Sequence, residues 1–161
     1  MLNMSRYNKV LFVSTGGTCR SLWAAAIFES VNTDRSITAE ARGLVVLFKE
    51  PPNPKAVAIA KSKGISIENA ASTPLTGEDF GEDVLILVMT DVLKKNIYDE
   101  FENAMNVYSI KEYTESAVDV EAAYGGELIE YGENFEYLEK LINIVIGKLK
   151  QDSPNNGGNM E

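Results

Sequence analysis

The 161-residue sequence contains no histidine. That absence removes Ser/His/Asp and Cys/His nucleophilic pairs, zinc held by imidazole, and any acid–base step through an imidazole ring. Cysteine occurs once, at Cys19, so neither an internal disulfide nor redox chemistry with a resolving thiol in the same chain is available. Basic residues are scarce: 15 Lys and Arg stand against 24 Asp and Glu, a formal net charge of −9. Nucleic acid and acidic membranes are held by clusters of Lys and Arg, so both are excluded as partners, and an anionic ligand has to be bound by a local device. No uninterrupted apolar run nears the roughly 18 to 20 residues that a membrane span needs. The stretch Met1 to Asn8 lacks the basic start, apolar core and small-residue cleavage site of a secretory signal, which predicts a cytoplasmic protein.

What is present suits one compact domain. The apolar fraction of 45% is ordinary for a globular chain. At this length a domain buries about two thirds of its unfolded surface without metals or disulfides. Residues 1–150 are read as that single domain and residues 151–161 (QDSPNNGGNME) as a disordered tail. Lys9 to Val13 (KVLFV) reads as a buried parallel strand that stops at Gly16-Gly17, and a helix follows from Ser21 to about Asn32. Asn53-Pro54 is a helix start and Gly64 a stop. Asp83 to Met89 is a second buried strand, Thr90 caps a helix to about Phe101, and Asn106 to Ile110 is a further strand. Glu40 to Leu47 suggests another. Leu128, Tyr131, Phe135, Leu138, Ile142, Val145 and Leu149 form one apolar stripe of a long last helix. Its Glu-rich opposite face is a solvated surface or a contact for a basic partner. Strands alternating with helices predict an α/β fold, a three-layer doubly wound sandwich around a central, mostly parallel four-stranded sheet. Ligands then bind beyond the carboxyl ends of the strands.

The loop Ser14-Thr15-Gly16-Gly17-Thr18-Cys19-Arg20-Ser21 sits at such an end. It joins a buried strand to a helix N-terminus, so successive backbone N–H groups can wrap an anion that also feels the helix dipole. The planar guanidinium of Arg20 can hold two oxygens of a tetrahedral oxyanion at once. The two glycines let the backbone turn at positive φ. A plain Gly-rich turn between strand and helix is the alternative. Trp23 reads as core.

The segment KVLFVSTGGTCRS resembles the signature of the low-molecular-weight protein tyrosine phosphatases, a strand followed by C-x5-R-S, with Ser14 at the place of the nucleophilic cysteine. Cys19, Arg20 and Ser21 match the family directly. The likeness continues through LILVMT, Lys111-Glu112-Tyr113 and Tyr124-Gly125-Gly126 to about Leu149. It implies that residues 14–21 hold phosphate or a phosphorylated protein or peptide, with no cofactor and no metal. It also implies that Cys19 is the loop's secondary cysteine rather than a nucleophile. Tyr124 either walls the mouth of the pocket, stacking on an aromatic substrate, or packs partly buried.

The departures fall on the chemistry. The family attacks with a thiolate whose pKa the loop lowers from about 8.5, whereas an alkanol such as Ser14 is far less acidic and no histidine is at hand as a base. The family also places Asp-Pro just before an aromatic residue and Gly-Gly, to protonate the leaving group; here Ala122 and Ala123 precede Tyr124. A general acid contributes about 10²–10⁴ in rate, and of the nearby carboxylates Asp119 is the first candidate substitute, with Glu121 beside it. Gly17 stands where the family usually has Asn, Leu22 where it often has Pro, and Ala70 where related bacterial sequences often carry histidine. Two readings result: a pseudophosphatase that binds without turnover, or a tyrosine phosphatase present as an inactive Cys-to-Ser form or with residual activity. Arsenate reduction on the same fold needs several exchanging cysteines and fails with one.

Overall fold

The structure is a computed structural model and describes residues 6–123 and 125–151. Strand β1 (Lys9–Ser14) is the centre of a four-stranded sheet whose order is β2-β1-β3-β4, with β2 spanning Thr38–Gly43, β3 Val84–Val88 and β4 Val107–Ser109. All three strand pairings are parallel, so the sheet is wholly rather than mostly parallel. Val10 to Val13 of β1 and Leu85 to Val88 of β3 have no exposed surface, which is why both read as continuous apolar runs. The helices are α1 (Arg20–Val31), α2 (Pro54–Ser62), α3 (Asp91–Glu100), α4 (Ile110–Tyr113) and α5 (Leu128–Gln151). Among the described residues no helix is long and apolar enough to cross a membrane.

Trp23 is fully buried, as expected, and ties three helices together. Its indole N–H donates to the Ala56 carbonyl of α2 at 3.0 Å, and its ring meets Tyr131 and Phe135 of α5 edge-on, at centroid distances of 6.3 and 5.2 Å. The stripe on α5 is buried from Tyr131 to Leu149 and gains Leu141 and Ile146; Leu128 is half exposed and does not belong to it.

Element boundaries differ from the sequence expectation where a specific side chain decides them. Ser109 and Glu112 form a reciprocal capping box that starts α4 at Ile110, ending β4 one residue earlier than its apolar pattern suggests. Asn53 caps α2 by accepting from the N–H groups of Lys55 and Ala56, and Thr90 caps α3 by accepting from Leu93. Gln151, expected in the tail, is helical in α5, and the rest of the expected tail, residues 152–161, lies outside the described residues. The largest shift is in β2. It runs over Thr38–Gly43 rather than Glu40 to Leu47, and the apolar residues that suggested the later span, Val45, Leu47 and Phe48, are exposed.

The reason β2 stops at Gly43 bears on the site. A Cβ on Gly43 would lie 2.7 Å from the Gly16 carbonyl carbon and 2.8 Å from the Gly17 nitrogen, closer than real side chains approach backbone. Only a glycine lets the end of β2 pack on the loop after β1. Gly43→Ala is therefore expected to destabilise the protein by about 1–3 kcal/mol through overpacking. Denaturant unfolding of parent and variant measures this; an unchanged midpoint would mean that the approach is slack.

Candidate functional site

The loop after β1 is held from outside by its carbonyl groups. Ser14 O accepts from Leu44 N at 3.0 Å, Thr15 O from Val45 N at 2.8 Å, and Thr18 O from Asn53 N at 2.9 Å. A trans peptide points its C=O and the next N–H in opposite directions, so these three bonds turn the N–H groups of Thr15, Gly16 and Cys19 away from the flanking segments. Gly17 takes φ +73°, and its N–H donates to Ser14 Oγ at 3.1 Å. The sequence suggested positive φ at both glycines; Gly17 adopts it and Gly16 does not.

Helix α1 starts at Arg20 with Cys19 as its N-cap, and no side chain caps it and no carboxylate lies in its first turn. The N-terminal N–H groups and the positive end of the dipole are thus left without a side-chain acceptor of their own. A small cavity opens here. The loop contributes Ser14, Gly17, Thr18, Cys19 and Arg20 to its lining, and Ala122, Ala123 and Tyr131 complete it.

Ser14 is 2% exposed, and its Oγ lies 2.8 Å from that of Ser21, which is fully buried. Arg20 is nearly buried, and its Nη1 donates to the Val120 carbonyl at 2.7 Å. Val120 is itself fixed, with its N–H on the Met89 carbonyl at the end of β3. The guanidinium is oriented by the segment that carries Ala122 and Ala123. Burial pushes the Cys19 thiol up to about 12 despite the neighbouring Arg20 charge, so it stays protonated at neutral pH and is a poor nucleophile. Thr15 is exposed, while Thr18 and Cys19 are half-buried.

Of the residues singled out in the sequence, Ser14, Gly17, Thr18, Cys19, Arg20 and Ala122 line one cavity. Ser21 stands behind Ser14, and Thr15 and Gly16 complete the turn. Tyr124 lies outside the described residues. Asp119 is not part of the cavity lining; its Oδ2 accepts from Asp91 N at 3.3 Å at the start of α3, while its Oδ1 is buried without a hydrogen bond, 3.6 Å from Lys111 Nζ. Lys111 also holds Asp91 at 2.8 Å, and that hydrogen bond lowers the Asp91 pKa. Two residues were missed. Tyr131 was read only as part of an apolar stripe, yet it lines the cavity, and Asn53, read as a helix cap, also reaches Tyr131 Oη with its Nδ2 at 3.2 Å. An i, i+1 pair such as Asn-Pro shows the cap but not this second contact, which links positions distant in sequence.

Comparison with known proteins covers strand, loop and helices together. The family model described as low molecular weight phosphotyrosine protein phosphatase matches residues 9–155. A protein-arginine-phosphatase of Bacillus subtilis is 34% identical over 148 residues, 89% of this chain and 97% of that protein. The crystal structure of a low-molecular-weight protein tyrosine phosphatase from T. tengcongensis is 33% identical with a TM-score of 0.81, covering 88% of this chain and 99% of the other. An arginine phosphatase solved as a Cys-to-Ser mutant with a phosphorylated active-site serine is 32% identical with a TM-score of 0.78, covering 89% of this chain and 97% of that one. Similarity of this extent, in sequence and in fold at once, makes this chain a member of the low-molecular-weight phosphotyrosine protein phosphatase family.

Proposed function

We propose that this chain binds phosphate or a phosphorylated protein residue in the loop of residues 14–21 and does not turn it over, as a pseudophosphatase. The observation that carries this reading is that Arg20 and the start of α1 face the same small cavity as Ala122 and Ala123, with no carboxylate in its lining among the described residues. The outward-held carbonyls leave the N–H groups of Thr15, Gly16 and Cys19 as donors, and Arg20 adds a planar fork. In this reading Ser14 occupies the nucleophile position and Ala122 that of the general acid. Asp119 is a poor substitute because its carboxylate is engaged by Asp91 and Lys111. The names of the relatives include both tyrosine and arginine phosphatases, so phosphotyrosine and phosphoarginine peptides are the two ligands to compare.

A hydroxyl at this position favours binding. A thiolate about 4 Å from a phosphate dianion is repelled by several kcal/mol at an effective dielectric of about 20, and a neutral serine removes that repulsion while offering a hydrogen bond. Titration of inorganic phosphate into the parent protein is expected to show saturable binding. Arg20→Ala should weaken it by roughly ten- to a hundred-fold, the scale of one or two lost charge-assisted hydrogen bonds. Unchanged affinity in that variant would place the site elsewhere.

Steady-state hydrolysis of an aryl phosphate by the parent is expected at background. Ser14→Cys should give weak activity, because the loop that would stabilise a thiolate is set by strand, glycines and helix start rather than by the nucleophile. Adding Ala122→Asp should raise it further on a phosphotyrosine peptide, by up to about 10²–10⁴, and less on nitrophenyl phosphate, whose phenolate leaves without a proton. A folded double variant that still binds phosphate but remains inert would show a cradle outside catalytic geometry.

A further inference from the structure

The guanidinium of Arg20 is tied to a peptide outside the loop, with Nη1 donating to the Val120 carbonyl at 2.7 Å. Val120 stands in a stretch, residues 116–123, that forms neither helix nor strand, so individual contacts rather than a backbone ladder decide where that carbonyl points. On the α5 side two neutral bonds hold the stretch. Tyr137 Oη donates to the Val118 carbonyl at 2.5 Å, and Asn134 Nδ2 to the Glu121 carbonyl at 2.6 Å. On the sheet side Val120 N donates to the Met89 carbonyl at 3.0 Å, and Asp119 Oδ2 accepts from Asp91 N at 3.3 Å. Asp119 is the side chain through which the stretch reaches the start of α3.

Two observations separate this contact from ordinary helix capping. Helix α3 already has its side-chain cap in Thr90, which accepts from Leu93 N at 3.2 Å. Asp119 Oδ1 is buried without a hydrogen bond, a cost that a neutral acceptor for Asp91 N would avoid. What the carboxylate adds is attraction to Lys111, 3.6 Å away, which at the same time holds Asp91 at 2.8 Å. Lys111 therefore clamps Asp119 against the first residue of α3. The side chains of Lys111 and Asp119 are only 25% and 16% exposed, so solvent screens their attraction less than that of a surface pair.

We infer that Asp119 is a positioning residue for Arg20: clamped by Lys111 on the start of α3, it fixes the residue before Val120 and so holds the Val120 carbonyl where the guanidinium meets it. On the phosphate-binding reading of the loop, on which this role rests, Asp119 acts without touching the ligand. A loose arginine side chain loses rotamer freedom when it takes up an anion, and one already held loses less. The clamp is therefore felt as affinity at the loop, although neither Asp119 nor Lys111 lines the cavity.

The test titrates inorganic phosphate into the full chain as parent, Asp119→Ala, Asp119→Asn and Lys111→Met. It also follows the Nη protons of Arg20 by NMR, assigned by their absence from Arg20→Lys. Expected in Asp119→Ala is an affinity about three- to tenfold lower, a smaller loss than that from Arg20→Ala, with the Nη signals merging as rotation of the guanidinium is freed. Asp119→Asn keeps an acceptor for Asp91 N and should recover part of both. Lys111→Met releases the carboxylate from its other end and should act in the same direction, which keeps the test decisive if Asp119→Ala does not fold. A lower unfolding midpoint in Asp119→Ala with parent affinity and parent Arg20 signals overturns the inference, since Asp119 then serves the fold alone. Weaker phosphate binding with unchanged Arg20 signals overturns it too. A parent that binds no phosphate sinks the binding reading, and the Arg20 signals of the variants then decide the positioning role by themselves.

Discussion

The anion site proposed for residues 14–21 works only if its backbone N–H groups are turned toward the ligand, and that orientation depends on three hydrogen bonds made on the opposite side. Leu44, Val45 and Asn53 take the carbonyls of Ser14, Thr15 and Thr18. The first two donors belong to the segment that leaves β2, which reaches the loop because Gly43 has no side chain. The third is the cap of α2, whose side chain also contacts Tyr131 of α5. The central strand, its neighbour and two helices thus converge on eight residues, and what they fix is the direction of peptide groups rather than the identity of any catalytic side chain.

The acidity of the chain sharpens this dependence. A protein of net charge −9 repels an anion at long range, so affinity has to be generated within a few ångströms, where burial reduces screening. Arg20 meets that need because it is nearly buried and held by the Val120 carbonyl. The first turn of α1 carries no carboxylate, although Glu and Asp are common elsewhere, so no acidic side chain of that turn competes for the helix terminus. The same segment that aligns Arg20 presents Ala122 and Ala123 to the cavity, which couples the guanidinium to that wall.

Much of this was legible in the sequence, for identifiable reasons. Val10 to Val13 and Leu85 to Met89 are buried, and the apolar runs they belong to say so; Asn53-Pro54 and Thr90 announce helix starts because capping is a local interaction. The loop was readable from its glycines, Arg20 and the following helix. What escaped the reading is non-local. The end of β2 is decided by a backbone contact with Gly16 and Gly17, not by the apolar pattern through Leu47, whose side chains are exposed. The engagement of Asp119 with Lys111 and Asp91, and the arrival of Tyr131 at the cavity, each join residues far apart in sequence, so periodicity carries no trace of them.

The residues that shape the loop are required by the fold itself. Gly43 and Asn53 are constrained by packing and capping, and Trp23 by a buried hydrogen bond and two aromatic contacts; each is needed for the fold whether or not a phosphate is ever cleaved. Ser14 and Ala122 are different. Ser14 ends a strand whose backbone pairing with Gly43 is indifferent to its side chain, and Ala122 is a half-buried position on an irregular segment. A change at Ala122 costs the fold little; at Ser14 the loss of Oγ would leave the Gly17 N–H and the buried Ser21 hydroxyl without that partner, and disturbing the residues that aim the peptide groups costs packing throughout the core. The part of the site that belongs to the fold is therefore the turn that aims the peptide groups, and strand pairing, close packing and capping hold it in place.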